Sequence, residues 1–398
     1  MIAYLWVFLA AAGATFLATP VVRMVVVRIG AIDQPSDRKV HPRATPTMGG
    51  IAMWVGLVAG LALSRNLPFF GEMNEGSSEP LAALVTCSLF VVLGAVDDWK
   101  GMNALTKVTG QIFIAGVLIL MGVQILYLFI PGDVGILIIG PDLAVPYTIL
   151  WVVAIVNAVN LIDGLDGLAA GMVAISAGAF FFYMVRTDSA FDFNANAAAL
   201  LSCITAGICL GFLPWNFHPA KIFMGDTGSM LLGMLLAIST LSGVARDPRE
   251  PSGGDFAVAA IPLLVPLLVL AVPFLDVVLA IARRMRRGIG IAHADKEHIH
   301  HRLLEIGHGY RQAVLLMYLW SALIAASGLA VGFIDGRFAA GAVLVGALAL
   351  FLITALPRLA DRRREGVTNG EGPGSPRGNG DRGAYRPAHA ARRGKSEP

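Results

Sequence analysis

Long apolar runs are the feature that most constrains this chain. They recur along almost its whole length, and most reach roughly 18–25 residues, enough for an α-helix to cross a hydrocarbon core of about 30 Å. Only 14% of the 398 residues are charged, whereas a typical soluble domain has about 25%. The sequence therefore predicts an all-α fold, that of a polytopic integral membrane protein.

Polar breaks between the apolar runs predict about eleven transmembrane helices. Their ranges are roughly 2–22, 49–64, 81–96, 108–130, 144–160, 167–185, 195–213, 228–244, 257–282, 312–334 and 338–357. Residues 1–357 thus form one transmembrane domain. The remaining stretch, 358–398, is rich in Gly, Pro and Arg and has almost nothing to bury, which predicts a disordered basic tail.

The distribution of Lys and Arg predicts the orientation. With the N-terminus outside, fifteen basic residues outside the tail fall on one face and five on the other, so the first face, together with the tail, is cytoplasmic. The connectors 65–80 and 245–255 on the opposite face look like ordinary solvated loops. The loops richest in charged and amide side chains all fall on the cytoplasmic face: 30–48, 97–107, 157–167, 214–227 and 283–311. Polar chemistry there, rather than near the bilayer midplane, favours an enzyme over a transporter.

The first polar loop has a composition suited to an anionic ligand. In "GAIDQPSDRKVHPRATPTMGG" (30–50), Lys39 and Arg43 supply cationic donors and Thr47 supplies a hydroxyl. Such groups bind phosphate. The alternative is that the basic residues only anchor the chain at the cytoplasmic face.

An acidic pair follows the third predicted helix. Asp97 and Asp98 are adjacent, so on a helix or a strand they cannot point the same way. One of them can face a metal or a substrate, while the other holds Lys107 or a backbone donor. The alternative is a pair of ordinary acids at a helix end.

The stretch "NAVNLIDGLDGLAAG" (157–171) is the most specific signal. Asn157, Asn160, Asp163 and Asp166 recur every three residues with glycines between them, so a helix would bring their amides and carboxylates to nearby faces. Asp226, in "FMGDTGS", could cap the eighth predicted helix or bind Mg²⁺, which prefers one or two carboxylates plus phosphate oxygens. Asp226 with Asn160 is the best candidate metal site.

A histidine cluster lies in the loop 283–311, where His298 and His301 would share one helical turn with Arg302. A structural zinc site would need cysteines or a second histidine pair, but the three cysteines lie in apolar runs. The neighbouring arginines would repel a dication and attract a polyphosphate. The cluster is therefore better explained as a set of donors to a pyrophosphate.

In combination, these motifs resemble the polyprenyl-phosphate N-acetylhexosamine-1-phosphate transferases, glycosyltransferase family 4. The matching stretches are "TPTMGGI", "DD", "NAVNLIDGLDGLAAG", "FMGDTGS" and "HIHHR", in that order. The stretch "DKEHIHHRLLEIGH" resembles the branch that uses UDP-N-acetylglucosamine. "TPTMGG" is shared with the phospho-N-acetylmuramoyl-pentapeptide transferases, so that branch stays open as an alternative. A transporter of nucleotide sugars or lipid-linked sugars is a further alternative.

The resemblance implies that the protein transfers N-acetylglucosamine-1-phosphate from UDP-GlcNAc to undecaprenyl or decaprenyl phosphate and releases UMP. The site would lie on the cytoplasmic face of the cell membrane. Its partners would be those two substrates and membrane lipids but no nucleic acid, and the chain could form a homodimer. The cofactor would be Mg²⁺, with Mn²⁺ as a substitute.

Three sets of candidate site residues follow. The metal would be held by Asp226 and Asn160. The donor would be bound by Lys39, Arg43, Thr47, Asn157, Asp163 and Asp166, with Asp166 at the uracil ring by the resemblance. The catalytic set is Asp97, Asp98, Lys107, His298, His300, His301 and Arg302. The resemblance suggests that Asp97 or Asp98 is a general base, but a phosphate monoester, with a second pKa of about 6, is already mostly deprotonated at neutral pH. The aspartates could instead position Lys107, the metal water or the acceptor.

Overall fold

The computed structural model describes residues 1–34, 44–130, 135–188, 195–244, 309–333, 341 and 344–350. The α-helices among these residues include α1 (Ile2–Ile29), α2 (Gly50–Asn66), the short α3 (Gly71–Gly76), α4 (Glu79–Lys100), α5 (Ala104–Leu120), α6 (Pro141–Ile162), α7 (Leu168–Asp188), α8 (Ala197–Asn216), α9 (Gly225–Val244) and α10 (Tyr310–Phe333). Two short antiparallel pairs complete it, β1 (Ile32–Asp33) with β2 (Thr45–Pro46) and β3 (Tyr127–Ile130) with β4 (Gly135–Ile138).

The predicted all-α membrane fold is confirmed. In the described part of the chain, six helices are long and apolar enough to cross a membrane, or seven if α2 and the bent segment after it form one span. The predicted span 257–282 and most of 338–357 lie outside the described residues, as does the tail 358–398. The count of about eleven spans therefore stays a prediction.

The predicted span 108–130 is wrong in its second half. Helix α5 ends at Leu120, and Gly122 reverses the chain with a left-handed φ of 87°. Residues 127–130 then pair with 135–138 in a hairpin, Tyr127 opposite Ile138. An apolar run gives the same hydropathy in a strand as in a helix, so hydropathy alone could not separate the two.

The connector 65–80 is mostly exposed or half-buried, as predicted for a solvated connector, but it is not a plain loop. After α2 the chain forms a 3₁₀ turn (Pro68–Phe70) and the short helix α3, bent by 90° from α2. Phe70 is fully buried, and the Tyr4 ring packs edge-on against it at 5.1 Å between centroids. The turn thus closes one end of the bundle with aromatic packing.

Helix α9 runs through the centre of the bundle, between α4, α6 and α8. Its residues are buried on every face, as expected for a helix that is apolar all round. Glycines at the contacts permit this: a Cβ at Gly94 of α4 would lie 2.5 Å from Thr227 Cα, and a Cβ at Gly233 of α9 would lie 2.6 Å from Val156 Cα of α6. The close approach brings the start of α9 against the ends of α4 and α6.

Candidate active site

Lys107 lies between two carboxylates at the end of the bundle where α4 and α6 stop and α5 and α9 start. Its Nζ is 2.9 Å from Asp97 Oδ2 and 2.6 Å from Asp226 Oδ1. The Lys107 side chain is 15% exposed and that of Asp97 only 8%. An ion pair so sheltered is screened much less by solvent than one on the surface. The lysine is therefore held by two helices besides its own.

Local capping places Lys107 and Asp97. Asn103 caps the start of α5 by accepting the Thr106 N–H at 2.8 Å, which fixes the turn that bears Lys107. Gly101, with φ at 69°, ends α4, and the next amide, that of Met102, donates to Asp97 Oδ1 at 2.7 Å. The second oxygen of Asp97 is thereby left to face the lysine.

Asp98 caps helix α9 from the neighbouring helix α4. Its Oδ1 accepts the Asp226 N–H at 2.9 Å, and its Oδ2 accepts the Thr227 N–H at 3.1 Å and the Thr227 hydroxyl at 2.5 Å. Thr47 also donates to Oδ1, at 3.4 Å. The N–H groups of Asp226 and Thr227 are backbone donors at a helix N-terminus that have no partner within the helix, and a negative charge is favoured there. Asp98 therefore sets where α9 begins, and with it where Asp226 lies.

Gly225 is required at this junction. Its φ is 69°, and a Cβ there would collide with Asp98 and Thr47. The loop before it is tied to the "TPTMGG" stretch, since the Phe223 N–H donates to Pro46 O at 2.8 Å and the Gly49 N–H donates to Phe223 O at 2.9 Å. Two motifs that lie far apart in sequence thus form one structural unit.

Helix α6 supplies amides to the same site. Asn160 Nδ2 donates to Asp226 Oδ1 and, at 2.8 Å, to Ser229 Oγ. One turn earlier, Asn157 Nδ2 donates to Gln111 Oε1 of α5 at 2.7 Å and to Val153 O at 2.8 Å. Gln111 is fully buried. This amide pair joins α5 to α6 one turn from Lys107 and Asn160.

Helix α6 ends at Ile162. Asn157 and Asn160 therefore share a helix, whereas Asp163 and Asp166 lie after its end, within the predicted polar loop 157–167. Burial, together with the charges of Asp226, Asp98 and Asp166, raises the pKa of Asp163 well above the usual aspartate range. Part of its surface nevertheless stays accessible. The carboxylates at this end of the bundle thus repel one another, which favours a bound cation.

Asp166 lies in a second group of contacts, formed by the loop after α8 and the start of α10. Its Oδ2 is 2.8 Å from His218 Nδ1 and accepts the Ala220 N–H at 3.0 Å. Its own N–H donates to Tyr310 Oη at 2.7 Å, and the Tyr310 ring stacks on His218 with centroids 4.1 Å apart. Asp166 is only 8% exposed. The contacts fix the turn between α6 and α7.

The structure thus brings together seven residues that the sequence singles out, around the start of α9: Thr47, Asp97, Asp98, Lys107, Asn157, Asn160 and Asp226. Asp166 lies in the adjoining group of contacts with His218. Asp163 lies near both groups, since the charges of Asp98, Asp226 and Asp166 all raise its pKa. The other candidates lie outside the described residues: Lys39, Arg43, His298, His300, His301 and Arg302.

Sequence reasoning missed Gln111, His218 and Tyr310. Gln111 did leave a signal, because it is an amide within an apolar run and lies four residues after Lys107, one helical turn away. His218 lies in the polar loop 214–227, but a single histidine there carries no spacing that points to Asp166. Tyr310 reaches Asp166 only through the tertiary packing of α10.

The oxygen donors at the start of α9 suit a hard cation. Within the described ranges, no group of three or more His, Cys, Asp or Glu side chains could hold a metal ion by itself. Mg²⁺, however, is usually bound through one or two carboxylates together with substrate phosphates and water. Asn160 uses its amide nitrogen on Asp226 and Ser229, which leaves its amide oxygen for a metal beside the Asp226 carboxylate. The donor set fits Mg²⁺, and the metal stays a prediction.

The chain is similar to one family model and to several known phosphotransferases. The family model described as Glycosyl transferase family 4 matches residues 80–244. The chain is 41% identical over 364 residues to a decaprenyl-phosphate N-acetylglucosaminephosphotransferase of Mycolicibacterium smegmatis, with 90% of each chain covered. It is 37% identical over 305 residues to a probable undecaprenyl-phosphate N-acetylglucosaminyl 1-phosphate transferase of Bacillus subtilis, which covers 76% of this chain and 78% of the relative. A phospho-N-acetylmuramoyl-pentapeptide-transferase of Desulforudis audaxviator is 34% identical over 287 residues, with 65% and 83% covered.

Proposed function

This chain belongs to glycosyl transferase family 4, and we propose that it transfers N-acetylglucosamine-1-phosphate from UDP-GlcNAc to a polyprenyl phosphate. The products are UMP and polyprenyl-pyrophosphoryl-GlcNAc. One observation supports the choice of donor: relatives at 41% and 42% identity, each matched over 90% of the chain, are named for transfer of N-acetylglucosamine phosphate to decaprenyl phosphate. The pentapeptide transferase matches a smaller share of the chain at lower identity.

The reaction is a displacement at the β-phosphorus of UDP-GlcNAc. An oxygen of the polyprenyl phosphate forms a new bond to that phosphorus, and the bond to the bridging oxygen of UMP breaks. Charge is only redistributed among phosphate oxygens, so catalysis depends on positioning and on charge neutralisation. The site must therefore supply cationic groups at fixed positions.

Among the residues that the structure describes at this site, Lys107 is the cationic group. The geometry supports this role, because Asp97 and Asp226 hold the ammonium from two sides at 2.9 and 2.6 Å. An ammonium held in this way needs little reorganisation when charge develops on the phosphates. When bound, Mg²⁺ would neutralise pyrophosphate charge, with Asp226 and Asn160 as its protein ligands.

In the proposed mechanism, Asp98 holds the start of α9 in place and does not act as a general base. Both of its oxygens already accept hydrogen bonds from the start of α9. The acceptor phosphate needs little help from a base, since its second pKa of about 6 leaves it mostly dianionic at neutral pH. Asp98 therefore contributes by fixing Asp226.

The donor base would bind at Asp166. The Asp166 carboxylate is held by His218 Nδ1 and the Ala220 N–H, which makes it a fixed acceptor next to the carboxylates at the start of α9. We place this end of the bundle on the cytoplasmic side of the cell membrane, because the loops on that side carry fifteen of the twenty basic residues outside the tail.

A direct assay tests the proposal. Full-length protein in nanodiscs is given sugar-labelled UDP-GlcNAc, polyprenyl phosphate and Mg²⁺, and both UMP and labelled lipid are measured. We expect equal amounts of both products, with none after EDTA treatment and recovery on addition of Mg²⁺. UDP-MurNAc-pentapeptide in a parallel reaction should give no UMP.

The outcomes distinguish the alternatives. If only the pentapeptide donor releases UMP, the peptidoglycan branch is the right one. Uptake of the labelled nucleotide sugar into sealed vesicles without UMP release would mean a transporter. Activity that survives complete removal of divalent metal would contradict the assignment of Asp226 and Asn160.

A further inference from the structure

A group of basic and aromatic side chains is formed by α1, the end of α8 and the loop that follows α8. We call Phe16, Arg23, Trp215 and Lys221 the basic-aromatic patch. Arg23 Nε donates to Lys221 O at 3.0 Å. Lys221 Nζ lies 5.0 Å from the centroid of the Trp215 ring, and the Phe16 ring lies 5.5 Å from Trp215. Arg23 thus contacts the backbone of Lys221, and the Lys221 ammonium lies over the Trp215 ring.

The charge of the patch is not neutralised within the described part of the chain. The ion pairs found there are those of Lys107 and of His218, so neither Arg23 nor Lys221 pairs with a carboxylate among those residues. Both side chains are exposed. The Arg23 contact uses the Nε–H, and the two terminal amino groups of the guanidinium can bind a further acceptor.

The patch lies at the depth of a membrane boundary. Helix α1 has 28 residues, which makes it about 42 Å long at 1.5 Å per residue, against a hydrocarbon core of about 30 Å. About 20 residues cross that core, so a helix that enters it at Ile2 leaves it near Arg23, the first charged residue of the chain. Tryptophan is enriched at such boundaries. Below Arg23, Phe16, Leu17 and Val21 expose apolar surface.

We propose that the basic-aromatic patch is a binding site for the phosphodiester headgroup of an anionic phospholipid. Arg23 and Lys221 would bind the phosphate oxygens, and the acyl chains would lie along the exposed apolar side chains of α1. A lipid fits this site better than free phosphate does, because apolar surface continues directly from the two cations. The inference does not depend on the proposed catalytic activity.

The position of Lys221 connects this site to the candidate active site. The Lys221 N–H donates to Trp215 O at 2.8 Å, and the same loop carries His218 and Ala220, both in contact with Asp166. Four residues after Lys221 the chain enters α9 at Gly225. A headgroup held by Lys221 would therefore restrain the loop that positions Asp166 and the start of α9.

Lipid retention gives a test that does not rely on turnover. The full chain is reconstituted in nanodiscs of mixed phosphatidylglycerol and phosphatidylcholine, and native mass spectrometry measures which lipids stay bound. We expect phosphatidylglycerol to be retained in preference. Arg23→Gln and Lys221→Gln should each lower that preference about tenfold, since each removes a hydrogen bond between charged groups, which contributes about 1.5 kcal/mol. The charge-preserving Arg23→Lys should keep most of it.

Arg28→Gln is the matched control. Arg28 is also exposed near the end of α1, but five residues place it about 140° around the helix from Arg23. We expect Arg28→Gln to leave the preference nearly unchanged. An equal loss in all three Gln variants would mean general surface attraction, and wild-type retention in Arg23→Gln and Lys221→Gln would also overturn the site. Displacement of the lipid by inorganic phosphate would mean that the site recognises free phosphate instead. Thermal unfolding of each variant checks that the fold is intact.

Discussion

Replacing Asp98 by Asn separates positioning from proton transfer. In the native site, one carboxylate oxygen accepts the Asp226 N–H at 2.9 Å, and the other accepts the Thr227 N–H at 3.1 Å and the Thr227 hydroxyl at 2.5 Å. Asn keeps the shape of the side chain but turns one acceptor into an NH₂ donor. Whichever way the amide is turned, that NH₂ group faces at least one backbone N–H at the start of α9.

The size of the effect follows from that mismatch. A buried donor left without an acceptor costs about 1–3 kcal/mol. Since 1.36 kcal/mol corresponds to a factor of 10 in rate, the loss amounts to about 5- to 150-fold if all of it falls on the position of Asp226. We also expect a lower thermal unfolding temperature, because the start of α9 loses part of its cap.

The assay is UMP release by the Asp98→Asn variant, recorded as rate against pH, beside Thr227→Val. Thr227→Val removes one of the four donors to Asp98 but leaves every titratable group in place. If Asp98 acts by position, both variants slow transfer, and the loss in Asp98→Asn stays at high pH. If Asp98 were the general base, hydroxide could replace it, so that Asp98→Asn would recover fully at high pH while Thr227→Val stayed near wild type. That pair of results would refute the positioning account.

Three further substitutions test other contacts of the site. Lys107→Met removes the cation between two carboxylates, so UMP release should fall by about 100- to 1000-fold, as when a transition-state donor is lost. Lys100→Met, the control at an exposed lysine at the end of α4, should keep UMP release within about twofold of wild type. Gln111→Leu removes the acceptor of the Asn157 amide between α5 and α6. The lost hydrogen bond, about 1–1.5 kcal/mol, should lower kcat about tenfold and leave the KM for UDP-GlcNAc little changed. A rise in KM alone would contradict a role of Gln111 in positioning Lys107. Tyr310→Phe removes the acceptor of the Asp166 N–H at 2.7 Å and should raise the KM for UDP-GlcNAc about 3- to 10-fold. An unchanged KM would contradict a role of Asp166 in binding the donor.

The sequence predicts the helices well where an apolar run ends at charged or capping residues. The run 81–96 lies within α4, Glu79–Lys100, and the run 228–244 lies within α9, Gly225–Val244. The sequence-based prediction fails at 121–130, because a continuous apolar run has no periodicity that distinguishes a helix from a hairpin. It also fails at Phe70, since aromatic packing against Tyr4 depends on a distant helix.

The candidate site follows the same division. The types and spacings of Asp97, Asp98 and Asp226 suggested a charged site, because acids at the ends of apolar runs are costly unless they are paired. Which acid holds Lys107 and which one caps α9 could not be derived, since both contacts cross between helices. The link from His218 to Asp166 is likewise tertiary and has no local signature.

The position of the β-phosphorus in the products tests the central claim most directly. The protein is given UDP-GlcNAc that carries ³²P in the β-phosphate, together with polyprenyl phosphate, and the nucleotide and lipid products are separated. Transfer of the sugar-1-phosphate predicts that the label moves into the lipid while the released nucleotide is unlabelled UMP, and that Lys107→Met slows this transfer by about 100- to 1000-fold. Label recovered in UDP, with an unlabelled lipid-linked sugar, would mean transfer of the sugar alone and would contradict the account.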